Sequence, residues 1–73
     1  MLRKVKSETI KQVGYHNKIL TIWFKSGKAY AYFNVPKKMY YDLIDAESVG
    51  AFFAAKIKDD FDCEEINERM FKF

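Results

Sequence analysis

The chain has 73 residues, 13 Lys/Arg against 10 Asp/Glu, 49% hydrophobic residues and 18% aromatics. That composition excludes a disordered segment, and the length allows one domain with a small core, because so short a chain buries only about 60% of its unfolded surface. A single cysteine, Cys63, excludes an internal disulfide, no Cys/His cluster has metal-ligand spacing, and no window approaches the roughly 20 apolar residues of a membrane span.

In chain order, the runs 9–15, 18–25 and 28–34 are rich in β-branched and aromatic residues and are separated by His16-Asn17 and Ser26-Gly27. They read as three antiparallel strands in a meander. Val35-Pro36 ends the third, because proline lacks the ladder donor and its fixed φ suits the first position of a helix. Met39, Tyr40, Leu43 and Ile44 then form one apolar stripe on a helix running to Ala46. Ser48 reads as the N-cap of a second helix that carries Phe52, Phe53 and Ile57, with Gly50 weakening its first turn. Asp62 and Glu65 stand as a capping box before Ile66, Met70 and Phe73, and Glu65 and Arg69 form an i,i+4 pair, which predicts a short C-terminal helix. The expected fold class is therefore α+β: a three-stranded antiparallel β-meander followed by two helices and a short C-terminal helix.

The loop between the second and third strands decides which face the tyrosines take. Two-residue closure at Ser26-Gly27 would force positive φ on serine, whereas the three-residue loop Lys25-Ser26-Gly27 asks this only of glycine. The longer loop sets Phe24 opposite Lys28, Ile22 opposite Tyr30 and Leu20 opposite Tyr32, so both tyrosines join the face that the helices should cover. Ile19, Thr21, Trp23, Ala29, Ala31 and Phe33 fall on the other face, which is more apolar than a solvated sheet face should be. That predicts either a homodimer packed sheet to sheet or cover by a terminal segment.

The same residues carry a resemblance. Ser7-Glu-Thr-Ile10, Val13-Gly-Tyr15, Phe24-Lys-Ser-Gly27, Tyr30-Ala-Tyr32-Phe-Asn-Val-Pro36, Tyr40 or Tyr41, and Ser48-Val-Gly50 with Phe52-Phe53 and Lys56-Ile-Lys58 resemble the KTSC domain. That domain stands at the C-terminus of some lysyl-tRNA synthetases and also occurs as a stand-alone small protein. The resemblance runs from about Ser7 to Phe61, which divides the chain into a KTSC-like domain, 7–61, and an acidic amphipathic extension, 62–73. It implies a small domain to which RNA binding is ascribed from its synthetase context. The chain departs from the family at Thr21, Trp23 and Ala31, where members often carry polar residues. It departs again at His16, where an acid is common.

Charge is divided along the chain: residues 1–41 hold nine Lys/Arg and one acid, residues 42–73 four Lys/Arg and nine acids. Lys25, Lys28, Lys37, Lys38, Lys56 and Lys58 lie near Trp23, Tyr30, Tyr32 and Tyr40, and lysines with aromatic rings can grip phosphates and stack bases. The bland alternative is tyrosines in the core and lysines in solvent. Pro36-Lys37-Lys38 at a helix start is the sharpest anion candidate, with Ser48, Gly50 and Lys56 as a second. His16 has no carboxylate partner in sequence, and Cys63 between Asp62 and Glu64 is a poor nucleophile, so no enzymatic activity is expected. The acids from Asp59 to Glu65 lack calcium-loop spacing, and no cofactor is expected. The sequence thus predicts a cytoplasmic, non-catalytic binding module for RNA or a nucleotide. The alternative is a homodimeric protein-interaction module of viral or mobile-element type that occupies a host protein.

Overall fold

The fold is given by a computed structural model that describes residues 2–66. The elements are β1 (Leu2–Lys4), β2 (Ile10–His16), β3 (Ile19–Phe24), β4 (Ala29–Tyr32), α1 (Lys37–Asp45), α2 (Val49–Lys56) and β5 (Cys63–Ile66). All five strands form one antiparallel sheet in the order β1-β2-β3-β4-β5. The class is α+β with two helices, as the sequence predicts, but the sheet has five strands in place of three.

Both extra strands lie at the edges, and the expected C-terminal helix is replaced over its first residues by β5. Cys63 pairs with Tyr32 and Ile66 with Ala29, while the Asp62 carbonyl accepts from Phe33 N–H at 2.9 Å, so Asp62 caps no helix. A short isolated helix is marginal in water, whereas the free edge of β4 offers a row of backbone partners at once. Arg69, Met70 and Phe73, the remainder of that expected helix, lie outside the described residues. At the other edge Leu2, Arg3 and Lys4 pair with Gly14, Val13 and Gln12.

The hairpins follow from local chemistry. His16 pairs with Ile19 across Asn17 (φ 49°) and Lys18 (φ 65°), a two-residue turn whose left-handed backbone matches the twist of the strands. In the next hairpin Gly27 takes φ 100° and its N–H donates to the Phe24 carbonyl at 3.0 Å, while Phe24 N–H donates to the Lys28 carbonyl at 2.8 Å. This is the three-residue loop, and the register is the expected one: Leu20 with Tyr32, Ile22 with Tyr30.

Both helices cover the Leu20/Ile22 face. Val13, Leu20 and Ile22 are fully buried against Leu43, Phe53 and Ile57. Asn34 (φ 59°) turns the chain after β4 so that Val35 enters the core, and the Tyr15 hydroxyl donates to the Val35 carbonyl at 2.6 Å. The Tyr15 ring also stacks on Tyr40 of α1 at 5.3 Å between centroids. Ser48 caps α2 as expected, its hydroxyl accepting from Ala51 N–H at 3.2 Å. Among the described residues no helix is long and apolar enough to cross a membrane.

Candidate functional site

The two helices do not cover their sheet face evenly. α1 closes the Tyr15 end, but at the other end α2 leaves a groove of about 1340 Å³ between its own first turns, the β3–β4 hairpin and the turn before β2. Four rings form its inner wall: Phe24 from β3, Tyr30 and Tyr32 from β4, and Phe53 from α2. They meet edge to face, Phe24 with Tyr30 at 5.8 Å, Phe24 with Phe53 at 5.6 Å and Tyr32 with Phe53 at 5.4 Å, the arrangement that ring quadrupoles favour. Tyr32 and Phe53 are buried, whereas Phe24 and Tyr30 are only partly buried and line the groove.

The rim is charged. Lys6, Lys25, Lys28 and Lys58 supply four ammonium groups, and Glu8, Glu47 and Asp59 interleave three carboxylates. The hydroxyls of Ser7, Thr9 and Ser48 gather where α2 meets the turn before β2. Ser7 Oγ there accepts from Thr9 N–H and Ile10 N–H, each at 3.2 Å. Gly50 permits this approach, since a Cβ at that position would stand 3.3 Å from Ser7 Oγ and 3.4 Å from Thr9 Oγ1. Cys63 of β5, exposed and facing the same side as its pair Tyr32, closes the far wall. Burial pushes the Tyr32 hydroxyl up to about 12, with Cys63, Tyr30 and Asp59 adding to the shift by disfavouring a second negative charge. Tyr32 is therefore a neutral wall of the groove at physiological pH.

Of the residues singled out in the sequence, Lys25, Lys28, Tyr30, Tyr32 and Lys58 come together in this groove, with Ser48 and Gly50 at its end. Lys37 and Lys38 do not. Lys38 is tied to Asp42 along α1 at 2.8 Å, and the Lys37 ammonium lies 5.9 Å from the centroid of Tyr41. Neither lines the groove, nor does Lys56, whose place in the last turn of α2 lets it interact with the helix dipole. His16 lies in the exposed β2–β3 turn beside Asn17, at 3.2 Å between side chains. Sequence reasoning did not select Lys6 and Ser7, because nothing local says that the N-terminal segment passes the mouth of the groove.

Trp23 is on the opposite face of the sheet. There it is half-buried with Thr21 and Phe33, while Ile19 is 37% exposed. Ala29 and Ala31 are buried within the single chain, at 3% and 7% exposure, flanked by Ile66 and Glu64 of β5. β1 widens this face and does not cover it: Leu2 remains 66% exposed. Among the described residues no group of three or more His, Cys, Asp or Glu stands close enough to hold a metal ion.

The pairing of Tyr30 and Tyr32 with Ile22 and Leu20, followed by the turn into Val35-Pro36, builds both core and groove wall. The KTSC domain model matches residues 6–61. The chain belongs to the KTSC domain family. The KTSC domain protein YPO2434 from Yersinia pestis has the same fold, with a TM-score of 0.87 at 33% identity over 92% of this chain and 97% of that one. A Tsukamurella paurometabola protein is 36% identical over 62 residues, 82% of this chain and 92% of its own length. The Lysine–tRNA ligase of Nostoc punctiforme is 41% identical over 68 residues, covering 90% of this chain but only 12% of the ligase. The KTSC chain here therefore corresponds to a small part of that ligase and to nearly all of the other two proteins.

Proposed function

We propose that this KTSC domain is a non-catalytic module that binds single-stranded RNA, one nucleotide unit entering the groove beside Tyr30. The observation that carries this reading is the groove itself, where the partly buried Phe24 and Tyr30 rings lie within a rim of four lysines. A base finds an apolar aromatic surface, worth about 1–3 kcal/mol when stacked, and its phosphates find Lys25 and Lys28 on the neighbouring hairpin. The similarity to a Lysine–tRNA ligase lends support, since that relative's name describes a protein that acts on an RNA. The three rim carboxylates limit binding, so a modest affinity is expected, with a salt slope no steeper than about −3 for four single-strand phosphate contacts.

Fluorescence anisotropy of a labelled single-stranded RNA, titrated with the full chain at two salt concentrations, tests the proposal. Saturable binding that weakens with salt and falls at least about tenfold in the pair Lys25→Glu/Lys28→Glu is the expected result. Absence of saturable binding at low salt, or indifference to the pair, refutes it. A free mononucleotide that competes with the RNA at similar affinity would identify the nucleotide as the true ligand. The second reading, a protein-interaction module, is favoured by a different observation: the exposed apolar side chains of Leu2 and Ile19 on the sheet face that carries Trp23.

A further inference from the structure

The outer side of β1 is a strand edge with a specific pattern of backbone and charge. Val5 N–H donates to the Lys11 carbonyl at 3.5 Å, and bonded and non-bonded pairs alternate along an antiparallel ladder, so Arg3 also turns its backbone groups toward β2. Leu2 and Lys4 therefore direct their N–H and C=O groups outward, and among the described residues no strand lies there to pair with them. Strand alternation sets the side chains of Leu2 and Lys4 on one face and that of Arg3, beside Val13, on the other. All three are exposed, Leu2 by 66%, and among the described residues neither cation has an ion-pair partner. The edge thus presents two donors and two acceptors in a row, a cation on each face and one apolar side chain.

We infer that β1 receives an acidic strand from another protein, which adds antiparallel to the sheet with one carboxylate opposite Lys4, a second opposite Arg3 and an apolar side chain opposite Leu2. Main-chain bonds to Leu2 and Lys4 attach such a strand, and the cross-strand side-chain pairs select it. Charge sorts the possible occupants. The opposite edge, β5, carries Glu64 and Glu65, so an acidic strand is repelled there and attracted at β1. A second copy's β1 in full overlap sets Arg3 against Arg3, the like-charge contact that keeps basic edges apart. A second copy's β5 is acidic but out of step. Phe33 N–H donates to the Asp62 carbonyl, which turns Glu64 and Ile66 toward β4 and leaves Cys63 and Glu65 with the outward backbone groups. Antiparallel pairing of outward groups then sets Lys4 against Cys63 with Arg3 against Glu64, or Lys4 against Glu65 with Arg3 against Ile66. Either register leaves one of the two cations without an acid. β1 contributes no residue to the groove, so this inference stands apart from RNA binding.

The test titrates the full 73-residue chain with a blocked synthetic peptide, Thr-Val-Thr-Glu-Glu-Val-Thr-Val, by calorimetry and by amide hydrogen exchange. Saturable binding that slows exchange at Leu2 and Lys4 is the expected result. Arg3→Glu/Lys4→Glu should weaken it about tenfold or more, whereas Lys37→Glu/Lys38→Glu, the same change of net charge placed on α1, should leave it within about twofold. Arg3 and Lys4 are exposed, so the fold is retained. Absence of saturable binding at low salt, or exchange at Leu2 and Lys4 unaffected by the bound peptide, overturns the inference. Equal binding of the peptide N-methylated at its first glutamate and central valine, the residues opposite Lys4 and Leu2, overturns strand addition, and equal binding with both glutamates replaced by lysine overturns the selection of acid. Protection of Leu2 and Lys4 in the peptide-free chain that rises with protein concentration gives the edge to a second copy instead. Displacement of the peptide by single-stranded RNA at equal affinity gives it to phosphates, and either outcome overturns the inference.

Discussion

Trp23 lies over Gly14 on the open side of the sheet: a Cβ on Gly14 would stand 3.0 Å from Cζ3 and 3.3 Å from Cη2 of the indole, and 3.4 Å from Cδ1 of Leu2. Gly14 is in ordinary strand backbone, so it is present for space and not for an unusual φ. The missing side chain lets the indole settle across β2 and become half-buried there.

Gly14→Val should therefore displace the indole, at a cost of about 1–3 kcal/mol as an overpacked contact. Denaturant unfolding and Trp23 emission check this together. A variant as stable as wild type with unchanged emission would show that the indole does not depend on the gap.

Tyr15→Phe removes the donor that holds the Val35 carbonyl, the bond that anchors the turn between β4 and α1. Val35 is fully buried, so the loss should cost about 1–3 kcal/mol in unfolding free energy while leaving the Tyr15–Tyr40 ring contact in place.

Tyr32 makes stability depend on alkaline pH. Its folded-state pKa is raised from 10.0 to about 12, so the folded chain keeps the neutral phenol while the unfolded chain ionises. The contribution is full below pH 10, falls as pH rises from 10 to about 12, and is absent in Tyr32→Phe. Denaturant midpoints for both proteins at pH 9 and pH 11.5 provide the measurement: wild type should lose more stability than the variant over that interval.

Ser48→Ala removes the oxygen that accepts from Ala51 N–H and should destabilise the domain by about 1 kcal/mol. Because Ser48 also lines the groove, RNA anisotropy on this variant separates a structural role from a binding one. Unchanged RNA affinity in the folded variant makes the hydroxyl a cap alone.

Replacing Lys37 and Lys38 together by glutamate should leave RNA affinity within about twofold of wild type, since neither reaches the groove and any residual effect acts only through the long-range field. A loss as large as that of the Lys25/Lys28 pair would move the site to the start of α1.

Much of the central fold was written locally. Gly27 selected the three-residue loop, the loop set the register of Tyr30 and Tyr32 against Ile22 and Leu20, and period-2 alternation then assigned both faces. Pro36 and Ser48 marked the helix starts because each supplies what a helix end needs, a residue without a donor or a side chain that accepts one. What the tertiary structure alone decided lies at the margins. Leu2–Lys4 and Cys63–Ile66 are too short and too charged to prefer a strand by themselves, and Asp62 with Glu65 even spelled a helix cap. They became strands because β2 and β4 each had an unpaired edge, and a backbone ladder outweighs a cap on a helix with little to dock against. The groove is a consequence of the same kind: it lies where α2, the β3–β4 hairpin and the turn before β2 meet, which gathers Lys25 and Lys28 and leaves Lys37 and Lys38 on α1 outside it.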